Sequence, residues 1–265
     1  MPDTRSFAGA QDDKGSLHLI PNTLDFGAPG EAAALDELLP LGVIRTASRL
    51  SHWVCENAKT TRAFLKRVDG VCPLARPVQE ISIVELPRPN KGRETSTDAN
   101  AISALLAPAR AGHDIGLISE AGLPALADPG ALLVAAAHSA GIQVVAHPGA
   151  SSIALALAAS GLNGQSFAFV GYIPVSAEAR AARIRSVEAT SRREGQTQLL
   201  IETPYRNAAL LEALLAHLQP ATVLSVSVGL TLPGGFTRSD SVAQWRQGST
   251  PLPADVPAVF AFLAR

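Results

Sequence analysis

Cysteine is nearly absent from this chain: Cys55 and Cys72 are the only two, and they form no Cys-x-x-Cys pair. So sparse a thiol content suits a reducing cytosol, with both side chains expected to be buried rather than bridged. Long apolar runs are missing too. The longest, around Ala131 to Ala137, is broken by His138 and Ser139, short of what a bilayer span requires. The polar start of the chain has no apolar signal core. A cytoplasmic protein is the expectation. Nor is there an excess of charge of either sign, with 22 basic residues against 23 acidic. The whole protein is therefore not an electrostatic nucleic-acid binder, and contact with RNA would need a local basic patch. Internal repeats are absent, as are metal-ligand clusters. A serine-hydrolase elbow is excluded where it comes nearest, because Ile153 stands where Gly-x-Ser-x-Gly needs its second glycine.

What is present is enough chain for two cores. A length of 265 residues is long for one and comfortable for two. Alternating short apolar strands and helices point to α/β architecture. Residues 1–14 read as a loose tail, residues 15–161 as an N-terminal α/β domain and residues 166–265 as a C-terminal one. The boundary falls at Gly161-Leu162-Asn163-Gly164-Gln165, polar and glycine-bearing between two periodic segments.

The most informative stretch runs from Leu117 to Gly130. It begins as the end of a strand, Ile115 to Ile118. It ends at a helix that Asp128 is placed to cap, with Pro129 at the first helical position. Residues 119–130 between them are too rich in Gly, Pro and Ala for regular structure. A loop at the carboxyl end of a strand in an open α/β sheet is a usual ligand position. Gly122 lets backbone approach a ligand, Pro124 stiffens the loop and Glu120 sets a carboxylate at its mouth. An ordinary crossover would read the same way.

Other strand ends carry polar groups. Pro21-Asn22-Thr23 breaks the first strand, read as Ser16 to Ile20. Glu56 and Asn57 end the strand from Trp53, and Lys59, Thr61 and Arg62 lie on the following helix. That cluster could position a hydroxyl or phosphate; equally, Asn57 could be a helix cap beside a Glu–Lys/Arg ion pair. His147-Pro148-Gly149-Ala150-Ser151-Ser152 leads into another helix, where Ser151 is either a ligand donor or an N-cap. Glu202 and Arg206 flank Thr203-Pro204-Tyr205 after the strand 197–201. The helix from Ala177 carries Arg180, Arg183, Arg185, Arg192 and Arg193, with Glu178, Glu188 and Glu194 interspersed as on a solvated face. Residues 239–247 read as a short helix.

Residues 119–130 resemble the Ser-Asp-Ala-Gly-Thr-Pro…Asp-Pro-Gly signature of the tetrapyrrole methylase superfamily, nearest the ribosomal small-subunit RNA 2′-O-ribose methyltransferase branch. Other landmarks follow in order. Residues 55–62 resemble Ala-Glu-Asp-Thr-Arg-x-Thr-Arg, residues 148–152 resemble Pro-Gly-Pro-Ser, residues 171–174 resemble Gly-Phe-Leu-Pro, and residues 202–206 resemble Glu-Ser-Pro-His-Arg. Two segments depart. The first loop keeps Pro21 of Pro-Ile-Gly-Asn-Leu, and residues 228–235 keep only Leu230 and Thr231 of Arg-Glu-Leu-Thr-Lys.

The resemblance implies two α/β domains with S-adenosylmethionine in the cleft between them, no metal, and a homodimer. It implies cofactor contacts from Pro21, Glu120, Ala121, Gly122, Leu123, Pro124, Ser151, Ser152, Glu202 and Thr203. Glu56 and Arg62 are implied on the catalytic, acceptor side. The expected activity is methyl transfer to rRNA. A tetrapyrrole or other small-molecule acceptor stands as the alternative, as does a cofactor-binding fold without catalysis. An RNA acceptor requires Lys59, Arg62, Lys66, Arg67, Lys91, Arg93 or the Arg180–Arg193 helix to approach one rim.

Overall fold

The computed structural model describes residues 13–25, 33–87, 99–248 and 251–265. They divide into two compact units, one of residues 13–23, 33–87 and 99–149, the other of 24–25, 150–248 and 251–265. Lys91 and Arg93 lie outside the described residues.

The first unit is built on a parallel sheet. Its strands are β1 (Leu17–Leu19), β2 (His52–Cys55), β3 (Ser82–Glu85), β4 (Ile115–Ile118) and β5 (Val144–Ala146), in the order β3-β2-β4-β1-β5. β4 is buried at all four positions, as an interior strand of a parallel sheet covered on both faces must be. One face carries α1 (Leu35–Leu38), α2 (Leu41–Arg49) and α3 (Ala58–Val71), packed around Trp53, Ile20 and Ile44. The other carries α4 (Ala99–Ala104), α5 (Ala107–Arg110) and α6 (Ala131–Ser139), packed around Leu17, Leu117 and Leu133. α4 and α5 are two short helices rather than one, with Pro108 in the first turn of α5.

In the second unit the strands are β6 (Phe167–Gly171), β7 (Thr197–Ile201), β8 (Val223–Val228), β9 (Phe236–Ser241) and β10 (Ala258–Leu263), ordered β6-β7-β10-β8-β9. Only β6 and β7 are parallel; the other pairings are antiparallel. α8 (Ala177–Glu194), α9 (Asn207–His217) and α10 (Val242–Trp245) enclose a core around Trp245, Phe260 and Phe262. α7 (Ser152–Ser160) covers the opposite face, where Ile153, Ala156 and Leu157 meet Leu199, Val259 and Ala261.

Three expectations are corrected. The division between units falls after Gly149, not at 161–165, because the apolar side of α7 is buried against the second sheet. Residues 236–241 are an edge strand rather than the start of a helix. Ser225 and Ser227 on β8 hydrogen-bond Ser239 and Thr237 across the pair, so polar side chains hold a strand whose sequence shows little apolar alternation. Glu188 is not on the solvated face of α8. It falls in a buried stripe with Ile184, Val187 and Ser191, and its carboxylate accepts from the Gln219 amide at 2.8 Å and from the Thr222 hydroxyl. Replacing Glu188 with leucine keeps the burial but strands two donors, of which the Thr222 hydroxyl is fully buried. That variant is expected to lose about 2–4 kcal/mol by denaturant unfolding, with Glu188→Gln losing less because one acceptor remains.

Candidate functional site

All strands of the first sheet run the same way, so the loops after β1, β2, β4 and β5 leave from one edge. The loop after β4 is the most constrained of them. Gly122 (φ 69°), Ala125 (φ 63°), Ala127 (φ 66°) and Gly130 (φ 130°) all have positive φ, two of them at alanine, where that conformation is costly. Asp128 does not cap the following helix. The N-cap is Gly130 and no side chain caps it, because the chain turns at this glycine after Pro129. Freed from capping, Asp128 stays with the loop.

Three carboxylates gather here. Glu56, from the end of β2, accepts a hydrogen bond from the Glu120 amide through Oε2 at 2.8 Å. Burial raises the Glu56 pKa; the Glu120 amide opposes that and the Glu120 charge adds to it. Asp128 is pushed up to about 6, first by burial and then by the Glu56 charge, with the Ser119 hydroxyl opposing and Glu120 adding. The Ser119 hydroxyl itself is buried and finds no close hydrogen-bond partner among the described residues.

Beside the loop lies a groove of about 480 Å3, lined mainly by apolar groups including Leu19, Leu123, Pro124, Leu126 and Val134, with His138 and His147 also bordering it. Its polar edge is modest. His147 Nε2 lies 2.9 Å from His18 Nδ1 with the rings stacked, and burial lowers the pKa of both. Gly149 packs so closely on Pro21 that a side-chain carbon at 149 would overlap the proline ring. The Pro-Gly turn after β5 and the Pro21 loop therefore fit only as they are.

Of the residues implied as site members, the first unit brings together Glu56, Glu120 and the loop Ala121-Gly122-Leu123-Pro124. Pro21 lies one residue before Asn22, which binds that loop directly. Arg62 does not join Glu56: it is exposed, and among the described residues its guanidinium hydrogen-bonds Ala58 O of its own helix, at 3.4 Å. Asn57 is the α3 N-cap, accepting from Lys59 N at 2.9 Å and Thr60 N at 3.4 Å. Arg67 bonds Thr23 Oγ1 and Ala33 O, so it is held within the fold.

In the second unit Ser151 caps α7 through Ala154 N, with Ser152 as the first helical residue. Glu202 pairs with Arg206 at 2.9 Å and accepts from Thr203 N, closing its own turn. In place of Arg-Glu-Leu-Thr-Lys, residues 229–235 form an uncharged turn tied by Leu232 N to Gly229 O and Gly235 N to Leu232 O. Asn22 is the member that sequence reading passed over; a polar residue beside Pro21 in a strand-end loop was the available signal.

The family model of the Tetrapyrrole (Corrin/Porphyrin) Methylases matches residues 37–234, and the chain belongs to that family. Among curated relatives, Ribosomal RNA small subunit methyltransferase I of Pseudomonas aeruginosa is 40% identical over 103 residues, 39% of this chain and 34% of that protein. The protein of the same name from Halalkalibacterium halodurans is 28% identical over 205 residues, 77% of this chain and 61% of its own length. The chain thus spans less than two thirds of either relative. Among solved structures, a conserved hypothetical protein from Aeropyrum pernix K1 superposes with a TM-score of 0.57 at 18% identity, covering 95% of this chain and 85% of the other. Uroporphyrin-III-C-methyltransferase from Thermus thermophilus gives 0.50 at 22% identity over 94% and 92%. Both share the fold. Among the described residues no helix is long and apolar enough to cross a membrane.

The carboxylate cluster makes a testable contribution to stability. A carboxyl whose folded pKa is raised binds its proton more tightly folded than unfolded. Its ionised form therefore destabilises the fold at neutral pH, and stability is regained as pH falls through about 6 toward the ordinary 3.8. Asp128→Asn is expected to raise stability at pH 7.5 by about 1–2 kcal/mol, allowing for partial solvent screening, and to give no gain near pH 4. Denaturant unfolding at the two pH values measures it.

Proposed function

We propose that this chain is an S-adenosylmethionine-dependent methyltransferase and that its acceptor is small-subunit ribosomal RNA. The observation that carries the first part is the loop at 119–130: a strained backbone with unspent polar groups, at the carboxyl edge of a parallel sheet. The relatives' names support the acceptor.

The residues of the first unit suit the donor chemically. The amides of Ala121 and Leu123 make no hydrogen bond among the described residues and fit hydroxyl or carboxylate oxygens. The carboxylates of Glu120 and Asp128 fit an ammonium group or ribose hydroxyls. The groove against Leu123, Pro124 and Val134 fits an apolar ring. When bound, S-adenosylmethionine supplies an already activated methyl group on a sulfonium. What remains for the chain is to hold donor and acceptor in line and exclude water. Fixed backbone groups and apolar walls do that with little ionic chemistry. Glu56 contributes by gripping the Glu120 amide.

A small-molecule acceptor is the second reading. It is favoured by the uncharged turn at 229–235 and by Arg67 being held within the fold rather than offered to a phosphate. Incubation with methyl-labelled cofactor and small ribosomal subunits from a strain lacking the gene separates the two. Label in ribose supports the rRNA reading; label only in added tetrapyrrole precursors overturns it.

The donor half is tested without an acceptor. Calorimetry with S-adenosylhomocysteine is expected to give one site per chain. A β-branched side chain at Gly122, where φ is 69°, is strained and fills the backbone's approach to a ligand. Gly122→Val is expected to weaken binding at least about tenfold, about 1.4 kcal/mol, while the protein remains folded by circular dichroism. Unchanged affinity would remove Gly122 from the pocket.

A further inference from the structure

We propose that Asn22 is the positioning residue of the cofactor loop: it turns the peptides at 119–122 so that the Ala121 and Leu123 amides are presented as a pair of donors. This rests on the reading of that loop as the S-adenosylmethionine site.

Asn22 is buried, and its side-chain amide and its backbone N–H are all used. Its side-chain Nδ2 donates to Ser119 O at 3.1 Å and to Glu120 O at 3.0 Å. Its backbone amide donates to Gly122 O at 2.8 Å. Its Oδ1 accepts from Thr23 N at 2.9 Å, which fixes which end of the side chain is which. One residue thus collects three carbonyls from four consecutive positions of a loop about a hundred residues away in sequence.

The carbonyl and the N–H of a trans peptide point in opposite directions. With the carbonyls of 119, 120 and 122 drawn to Asn22, the N–H groups of 120, 121 and 123 must face away from it. The first of these behaves so: Glu120 N meets Glu56 Oε2 at 2.8 Å. The other two, Ala121 and Leu123, are left without a partner among the described residues. Two amides without a partner among the described residues, flanking a left-handed Gly122, suit an oxygen atom of a ligand. Glu56 pulls the loop from the β2 side and Asn22 from the β1 side.

Only a short primary amide meets this demand. Aspartate has the same size but offers no donor and would set a carboxylate against two carbonyl oxygens. Serine offers one donor. Glutamine is one carbon too long for a buried position.

The test compares wild type, Asn22→Asp, Asn22→Ala and, as a control for general destabilisation, Val68→Ala, a buried α3 residue remote from the loop in sequence. Two quantities are read: hydrogen exchange of the ligand-free 117–124 segment, and the Kd of S-adenosylhomocysteine. The expected result is faster exchange at the Glu120 amide and an affinity about tenfold weaker in Asn22→Asp and Asn22→Ala. That factor corresponds to a competent loop conformation populated about a tenth of the time. Val68→Ala should move neither quantity at a matched fall in Tm. Asn22→Asp with wild-type exchange overturns the proposal, as does equal weakening in Val68→Ala. If wild type binds no S-adenosylhomocysteine, the cofactor reading fails, and the exchange comparison still decides whether Asn22 sets the loop.

Discussion

A parallel sheet sends every strand toward the same edge, and each strand there ends in backbone groups that the ladder no longer pairs. In the first unit this constraint governs the rest. β1 lies between β4 and β5, and β4 between β1 and β2, so four loops meet where four strands finish. The helices on both faces exclude water from the strands but leave that edge open. Any polar group there is satisfied by a neighbouring loop, by solvent or by a ligand. Asn22 and Glu56 satisfy part of the β4 loop; the Ala121 and Leu123 amides are left without a partner among the described residues.

The electrostatics follow from the same geometry. Glu56, Glu120 and Asp128 come from two different strand ends, and the edge forces them together with no cation beside them in the described contacts. Burial and mutual repulsion then raise Asp128 toward neutrality's range. Left-handed alanines at 125 and 127 add backbone strain to the same loop. Strain and crowded carboxylates both oppose folding, and natural sequences keep such features where a site requires them.

How much of this was legible in the sequence depends on which signal carried it. β4 and β7 show as short apolar runs, and their observed ranges match expectation; α8 starts at Ala177, as expected. The 119–130 loop shows in its Gly and Pro content and its family motif. β9 does not show, because its stability comes from serine and threonine pairs across to β8, which single-strand periodicity does not register. Glu188 reads as a surface charge until the turn after α9 places Gln219 and Thr222 against it. The boundary at 161–165 has every local mark of a linker. It is displaced because α7 buries its apolar side on a sheet formed by later residues. In each case the missing information is a long-range contact.

The first loop bears most directly on function. Its departure from Pro-Ile-Gly-Asn-Leu motivates the reading of a fold that keeps a cofactor cleft without catalysis. That reading assumes the motif residues act by touching the ligand. A loop that shapes its neighbour by hydrogen bonds needs the right donors at the right place rather than the same string. Pro21 and Gly149 fix where the loop passes, since no side chain fits between them, and Asn22 supplies donors at that point. Methyl transfer from a sulfonium asks for alignment more than for an acid, a base or a metal. The changed string is therefore compatible with retained chemistry. The uncharged turn at 229–235 bears on a different question, the identity of the acceptor, because charged side chains there would meet a polyanion and an uncharged turn would not.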